Sequence, residues 1–272
     1  MTVVFQNYFN LNKWKFNKKE VIIMAYDERF VAFLDILGFK SIIGITQNDV
    51  AYQEKIKQIL NYIAGIRNDN YHGLFSEYGI LKEVSVFSDS IVISYSTGLN
   101  IGGGLFHVLM DLIYICNDLL AQNIYIRGAV TCGQMYHDKK ICFGPAMVQA
   151  YDLEERVAIH PRIIIDTYAL QKGLQSPGKA NTMEMEGEYL DSIICCDEDG
   201  IYFLDFLSQH EEFNDISYYE NYLKIVKKNL TVHLNTSYPT NIFQKYQWFA
   251  AYYNNTIKKV YKSYSPDSLI IL

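Results

Sequence analysis

The sequence predicts an α+β protein, with an antiparallel-rich sheet flanked by helices and a helical C-terminal appendage. Three observations carry that prediction. Short runs of β-branched and aromatic residues such as "RFVAFLDI", "EVSVF" and "SIVISYS" stop at turn residues and read as strands. Between them lie stretches with apolar residues three and four apart, the spacing of helices that cover a sheet. From about Phe213 onward the helical spacing takes over.

In chain order, Phe30–Leu34 is a buried strand that runs through a turn into a short helix, and Tyr52–Ile66 is a second helix closed by "NDNYHG". "ILKEVSVFSDSIVISYS" reads as two strands folded about Ser88, Asp89 and Ser90. "STGLNIGGG" is a loop, and Leu105–Leu120 is apolar at helical spacing. "IYIRGAVTCGQMYHDKKICFG" supplies two more strands joined by "HDKK", with His137 expected in a solvated turn. A helix over Pro145–Val157 opens with proline just inside its start, where the missing N–H costs nothing. "PRIIID" is a short strand and "TYALQK" begins a helix, whereas "SPGKANTMEMEGEY" reads as loop. "LDSIICCDEDGIYFLDFL" is a hairpin with Asp-Gly as its turn signal, and helices follow over Tyr218–Leu234 and Asn241–Tyr264. Residues 1–24 read as a peripheral extension, 25–206 as the main domain and 207–272 as the helical appendage.

The chain has 272 residues, half of them hydrophobic, and a formal charge of −6. That length can bury one good core plus an appendage, or two small domains. The acidic balance excludes an extended nucleic-acid surface, which needs many Lys and Arg contacts to phosphate. Five cysteines without a CxxC pair fit free thiols in a reducing cytoplasm, and Cys195–Cys196 fits alternating packing in a strand. Cys and His show no zinc-site spacing. Lys13, Lys15, Lys18 and Lys19 interrupt the N-terminal apolar residues, and no run of about 18 apolar residues occurs. Neither a signal segment nor a membrane span is expected.

Asp35 and Asp89 share one peculiarity: each sits at the end or tip of an otherwise apolar strand. A carboxylate there is costly unless something positive holds it. Two strand ends of one sheet can bring two carboxylates together, and such a pair calls for a cation. Hard oxygen ligands favour Mg²⁺ or Mn²⁺. Two such ions about 3.5–4 Å apart can activate an attacking oxygen and stabilise a leaving one. The "ILGF" turn into a helix offers backbone N–H groups to phosphate.

On these residues the chain resembles the catalytic domain of class III nucleotide cyclases. The family's "F-x-D-I-x-G-F" stands here as "FLDILGF", and its second metal-binding Asp at a hairpin tip looks like "FSDS". "L-R-V-G-I-x-x-G" matches "IRGAVTCG", "W-G-x-x-V-N-x-A-S-R-M-E" looks like "FGPAMVQAYDLE", and "P-x-R-I-x-V-T-x-x-T-Y" resembles "HPRIIIDTYAL". The five elements keep their order over about Phe30 to Leu170. The resemblance implies a ferredoxin-like-derived sheet, with residues 25–206 as the catalytic domain. It implies Asp35, Asp89 and the Ile36 carbonyl as ligands of two Mg²⁺ or Mn²⁺ ions. Gly38, Phe39 and Lys40 would cradle the triphosphate, with Arg127 at a phosphate. The implied reaction is attack of the ribose 3′-hydroxyl on the α-phosphate, in a head-to-tail homodimer with the site between protomers.

The sequence departs from the family at four places. Ser85 stands where adenylate cyclases carry the purine-reading lysine, and Ile141 where they carry its partner acid. Val148 and Asp152 replace the transition-state Asn and Arg. The combined pattern looks like the pyrimidine cyclases of bacterial Pycsar antiphage systems, and this chain keeps both metal acids. That branch implies UTP or CTP as substrate, Ser85 and Ile141 lining the base pocket, and a separate cyclic-nucleotide-responsive effector. A purine cyclase with unfamiliar base contacts, or a non-catalytic nucleotide-binding domain, are the alternatives. Each residue also has a plainer reading. Asp35 could cap a turn, Asp89 is a common hairpin residue, Arg127 could pair with a structural acid, and Lys40 could be a solvated first-turn lysine.

Overall fold

The computed structural model describes residues 26–65, 82–97, 102–138, 141–261 and 269–271. The expected N-terminal extension, the "NDNYHG" break, Ile66, Lys139, Lys140 and the last turn of the final helix lie outside them. The strands are β1 (Asp27–Ile36), β2 (Lys82–Phe87), β3 (Ser90–Ser96), β4 (Ile126–His137), β5 (Cys142–Phe143), β6 (Ile163–Ile165), β7 (Ile194–Cys196) and β8 (Tyr202–Leu204). The helices are α1 (Phe39–Thr46), α2 (Val50–Gly65), α3 (Gly104–Ala121), α4 (Pro145–Arg156), α5 (Thr167–Gln175), α6 (Met183–Ile193), α7 (Ile216–Leu234) and α8 (Thr240–Val260).

β1 is central because it is apolar on both faces. Phe30, Ala32, Leu34 and Ile36 enter the main core, while Val31 and Phe33 pack with Ala146 and Ala150 of α4 on the opposite face. The sheet runs β2-β3-β1-β4-β6-β8-β7, with β5 paired to β4. Only the β4–β6 pair is parallel. With α1–α2 and α3 as crossovers, the first four strands make the ferredoxin-like βαββαβ order, so the antiparallel-rich α+β class holds.

β1 and β4 approach so closely that Gly128 has no room for a side chain. A Cβ there would lie 2.5 Å from the Phe33 carbonyl oxygen and 2.7 Å from Leu34 Cδ2. α3 is long and apolar enough to cross a membrane by length and composition, yet 61% of it is buried inside the protein. α7 and α8 belong to the same buried cluster as β1 and α3, through Tyr219, Leu223, Phe249 and Tyr253.

Three local expectations change. Most of "TMEMEGEY" is helix α6, not loop: Thr182 accepts the Met185 N–H at 3.2 Å, and Glu184 and Glu186 favour the positive helix end. The glycine at 187 and the preceding Pro-Gly hide that helix from the sequence. The hairpin forms, but its arms are only β7 and β8, because Leu190–Ile193 finish α6. His137 ends β4 and is buried, not in a solvated turn. Its ring nitrogens contact Ser94 Oγ at 2.7 Å and Ser85 Oγ at 3.0 Å.

Candidate active site

The period of two along β1 places Asp35 on the α4 side of the sheet, in line with Val31 and Phe33. Its neighbours across the sheet are Ser90 of β3 and Arg127 of β4. Phe87 pairs with Ser90, so Ser88 and Asp89 alone form the β2–β3 loop, with Ser88 at φ 59°. The Ile36 N–H donates to the Asp89 carbonyl at 3.2 Å, which ties the hairpin tip to the end of β1. On the other side the Leu37 N–H donates to the Tyr125 carbonyl at 2.8 Å. The chain then turns through Gly38 at φ 73°, a left-handed conformation that suits glycine, and opens α1. Phe39 packs on the core and Lys40 is exposed.

Asp35, Asp89 and Arg127 therefore lie at one end of the sheet, and two further residues join them. Glu154 follows Ala146 and Ala150 at intervals of four along α4, on the stripe that meets the sheet, and is buried. Arg127 Nε lies 2.6 Å from Glu154 Oε1 and 3.6 Å from Asp35 Oδ2. The Glu154 contact is one of charge without hydrogen-bond alignment, since neither buried atom has a hydrogen-bond partner. Lys245 of α8 is the second addition, half-buried within the field of Asp35, Glu154 and Arg127. The four-residue spacing of two alanines and an acid is a signal that would have found Glu154. Nothing local marks Lys245.

Burial sets the electrostatics. It raises the Asp35 pKa, Arg127 opposes that rise, and the charge of Asp89 adds to it. Burial pushes the Glu154 carboxyl up to about 7 despite the guanidinium beside it. The same desolvation lowers Lys245, with the positive charge of Arg127 in the same direction.

Asp35, Asp89 and the Ile36 carbonyl are the oxygens at this strand end that would hold a hard cation such as Mg²⁺ or Mn²⁺. Among the described residues no group of three or more His, Cys, Asp or Glu converges on one point. The chain thus offers few ligands, and phosphate and water oxygens would complete the coordination, as is usual for Mg²⁺.

Ser85 contacts the His137 ring, and Ile141 lies next to the strand pair that His137 makes. Ser85 is buried on β2 and bonded to that ring, while His137 pairs with Cys142, the residue after Ile141. Ser85 lies on the same face as Phe33 and Val92, two rungs back from Asp35. Ile141 is 51% exposed. On α4, Val148 is 59% exposed, Asp152 pairs with Arg156 at 3.5 Å, and the Tyr151 ring meets Phe33 edge-on at 5.5 Å.

No family model matches the chain, and no curated protein matches it. Solved structures do. One is the catalytic core of a rhodopsin-guanylyl cyclase with converted specificity in complex with ATPαS, at TM-score 0.40 and 16% identity, covering 54% of this chain and 82% of that one. A second is the non-canonical dimeric guanylyl cyclase domain of a RhoGC fusion protein from the aquatic fungus Blastocladiella emersonii, at TM-score 0.41 and 15% identity, covering 66% and 97%. The guanylyl cyclase Cya2 matches at TM-score 0.33 and 14% identity, covering 55% and 80%. At these identities the likeness concerns the path of the chain, and the chemistry of the site rests on this chain's own residues.

Proposed function

We propose that this chain is a class III-type nucleotide cyclase that converts UTP or CTP to the 3′,5′-cyclic monophosphate and pyrophosphate. The observation that carries the reading is the tie between β1 and the β2–β3 tip. It holds Asp35 and Asp89 at one strand end, beside the Gly38 turn and the Arg127 guanidinium. Asp35, Asp89 and the Ile36 carbonyl would hold two Mg²⁺ or Mn²⁺ ions, which supply Lewis acidity to the attacking and leaving oxygens when bound. The chain itself then has three tasks. Gly38, Phe39 and Lys40 receive the triphosphate at the opening of α1. Arg127 balances charge that grows on phosphate oxygens. The pocket walls bring O3′ into line with the α-phosphorus, where an O3′–P bond forms as the bond to the β-phosphate oxygen breaks. Pyrophosphate and the hydroxyl proton leave.

The pyrimidine assignment draws on the base wall. Where a purine reader would present a long lysine and an acid, this chain has Ser85, already bonded to His137, with Ile141 at the rim. We further assign a cytoplasmic homodimer whose product acts on a separate effector in antiphage defence of the Pycsar type. That assignment draws on the sequence resemblance.

The test is incubation of the protein with each of the four nucleoside triphosphates and Mn²⁺ or Mg²⁺, followed by mass spectrometry, with Asp35→Asn alongside. The expected result is cyclic UMP or cyclic CMP that disappears in the variant. A cyclic purine would retain the chemistry and overturn the pyrimidine assignment. Nucleotide binding without any cyclic product would favour a non-catalytic domain, as Val148 and Asp152 at the transition-state positions would then suggest.

A further inference from the structure

The C-terminal helix brings a cation to the floor of the site. The Tyr246 ring packs edge-on against Tyr125 with centroids 5.3 Å apart, and the Tyr125 carbonyl is the one that holds the Leu37 N–H just before Gly38. Two residues along α8, Trp248 stacks on His160 at 5.2 Å, in the segment between α4 and β6. These two contacts lay α8 across the start of β4 and the segment that follows α4, and Lys245 immediately precedes Tyr246 on that helix.

Lys245 is not used up by the acids around it. Lys245 Nζ makes no ion pair or hydrogen bond with any described residue, although the charges of Asp35, Glu154 and Arg127 all act on it. Arg127 approaches both carboxylates through Nε, at 2.6 Å from Glu154 and 3.6 Å from Asp35. An ammonium without an ion-pair partner, within the field of a guanidinium, suits an anion rich in oxygen. A residue whose only task was to neutralise Glu154 or Asp35 would close a contact with one of them. Lys245 does not.

We propose that Lys245 contacts the triphosphate, so that α8 supplies from within the same chain the positive charge that α4 lacks at Val148 and Asp152. This rests on the reading of the site as one for nucleoside triphosphates. The geometry of α4 agrees: Asp152 is turned to Arg156, and Val148 to solvent. Positive charge for the leaving phosphates then comes from elsewhere, and Lys245 of α8 lies within the field of Arg127 and Asp35.

Inorganic tripolyphosphate in the presence of Mn²⁺ is the probe, because it carries the phosphates without base or ribose. Calorimetric affinities are to be compared for the wild-type chain, Lys245→Met, Lys245→Gln, Lys245→Arg and Asp35→Asn, each with its melting temperature. Lys245→Met and Lys245→Gln are expected to bind about tenfold to a hundredfold more weakly, the scale of one charge-assisted contact, without loss of melting temperature. Lys245→Arg is expected to retain most of the affinity. If the wild-type chain binds tripolyphosphate and Asp35→Asn does not, but the neutral Lys245 variants bind as tightly as wild type, the assignment of Lys245 is overturned and the site stands. If the wild-type chain fails to bind at all, the triphosphate reading falls and this proposal with it. If both neutral variants melt early, retention of affinity by a folded Lys245→Arg, compared with a folded Lys40→Met, separates a phosphate contact from a packing role. Equal loss in Lys245→Arg and Lys245→Met overturns the contact.

Discussion

Glu154→Gln isolates the energetic cost of a carboxylate beneath β4. The side chain is 4% exposed, and the one cation touching it is Arg127 at 2.6 Å. Gln keeps the shape and removes the charge. Burial raises the Glu154 pKa from 4.5 to about 7, so between those values the folded state holds a proton that the unfolded state has lost. Folding stability from this group is therefore fully present below about 4.5 and is lost as pH rises through about 7. The gap corresponds to about 3 kcal/mol as an upper bound, and to about 1–3 kcal/mol once water penetration at the mouth of the site is allowed for. Losing the Arg127 contact shifts Glu154→Gln by an amount that does not change with pH, so it cancels from the comparison. Urea unfolding of both proteins between about pH 4 and 8.5 gives the difference directly. The variant should gain on the wild type across the window and then level off. A difference that stays flat with pH, or a wild type that gains on the variant as pH rises, would refute the reasoning. The second result would mean that Arg127 holds Glu154 ionised.

Two other substitutions test the framework around the acids. Gly128→Ala forces a methyl group against the Phe33 carbonyl and Leu34, one rung from the Asp35–Arg127 pair, and should cost about 1–3 kcal/mol in urea unfolding while also reducing any turnover. Unchanged stability would show that β1 and β4 can part without penalty. His137→Ala leaves the buried Ser85 and Ser94 hydroxyls without the imidazole and should cost about 1–3 kcal/mol, whereas a solvated turn histidine would change stability by less than about 0.5 kcal/mol.

Much of the framework was legible in the chain itself. Runs of alternating or wholly apolar residues identify β1 to β4, and Pro145 marks the start of α4. The two acids stood out because each interrupts an apolar run, which is a local contradiction visible without coordinates. Those signals depend on neighbours two to four positions apart, where the backbone itself sets the geometry. α6 was hidden for the complementary reason: Gly187 within it and the Pro-Gly before it weaken its local preference, and packing against α3 and α5 decides the outcome. His137 looked polar and exposed beside "DKK", but its rung on β4 turns it toward Ser85 and Ser94, residues 52 and 43 positions away. What surrounds Asp35 was likewise decided only in the folded chain. Arg127 arrives by strand register, Glu154 by the face of α4 and Lys245 by the docking of α8 through Tyr246 and Trp248. Charge acts through space and desolvation depends on what covers a group. The sequence by itself therefore named the two acids, and tertiary packing chose the cations that stand beside them.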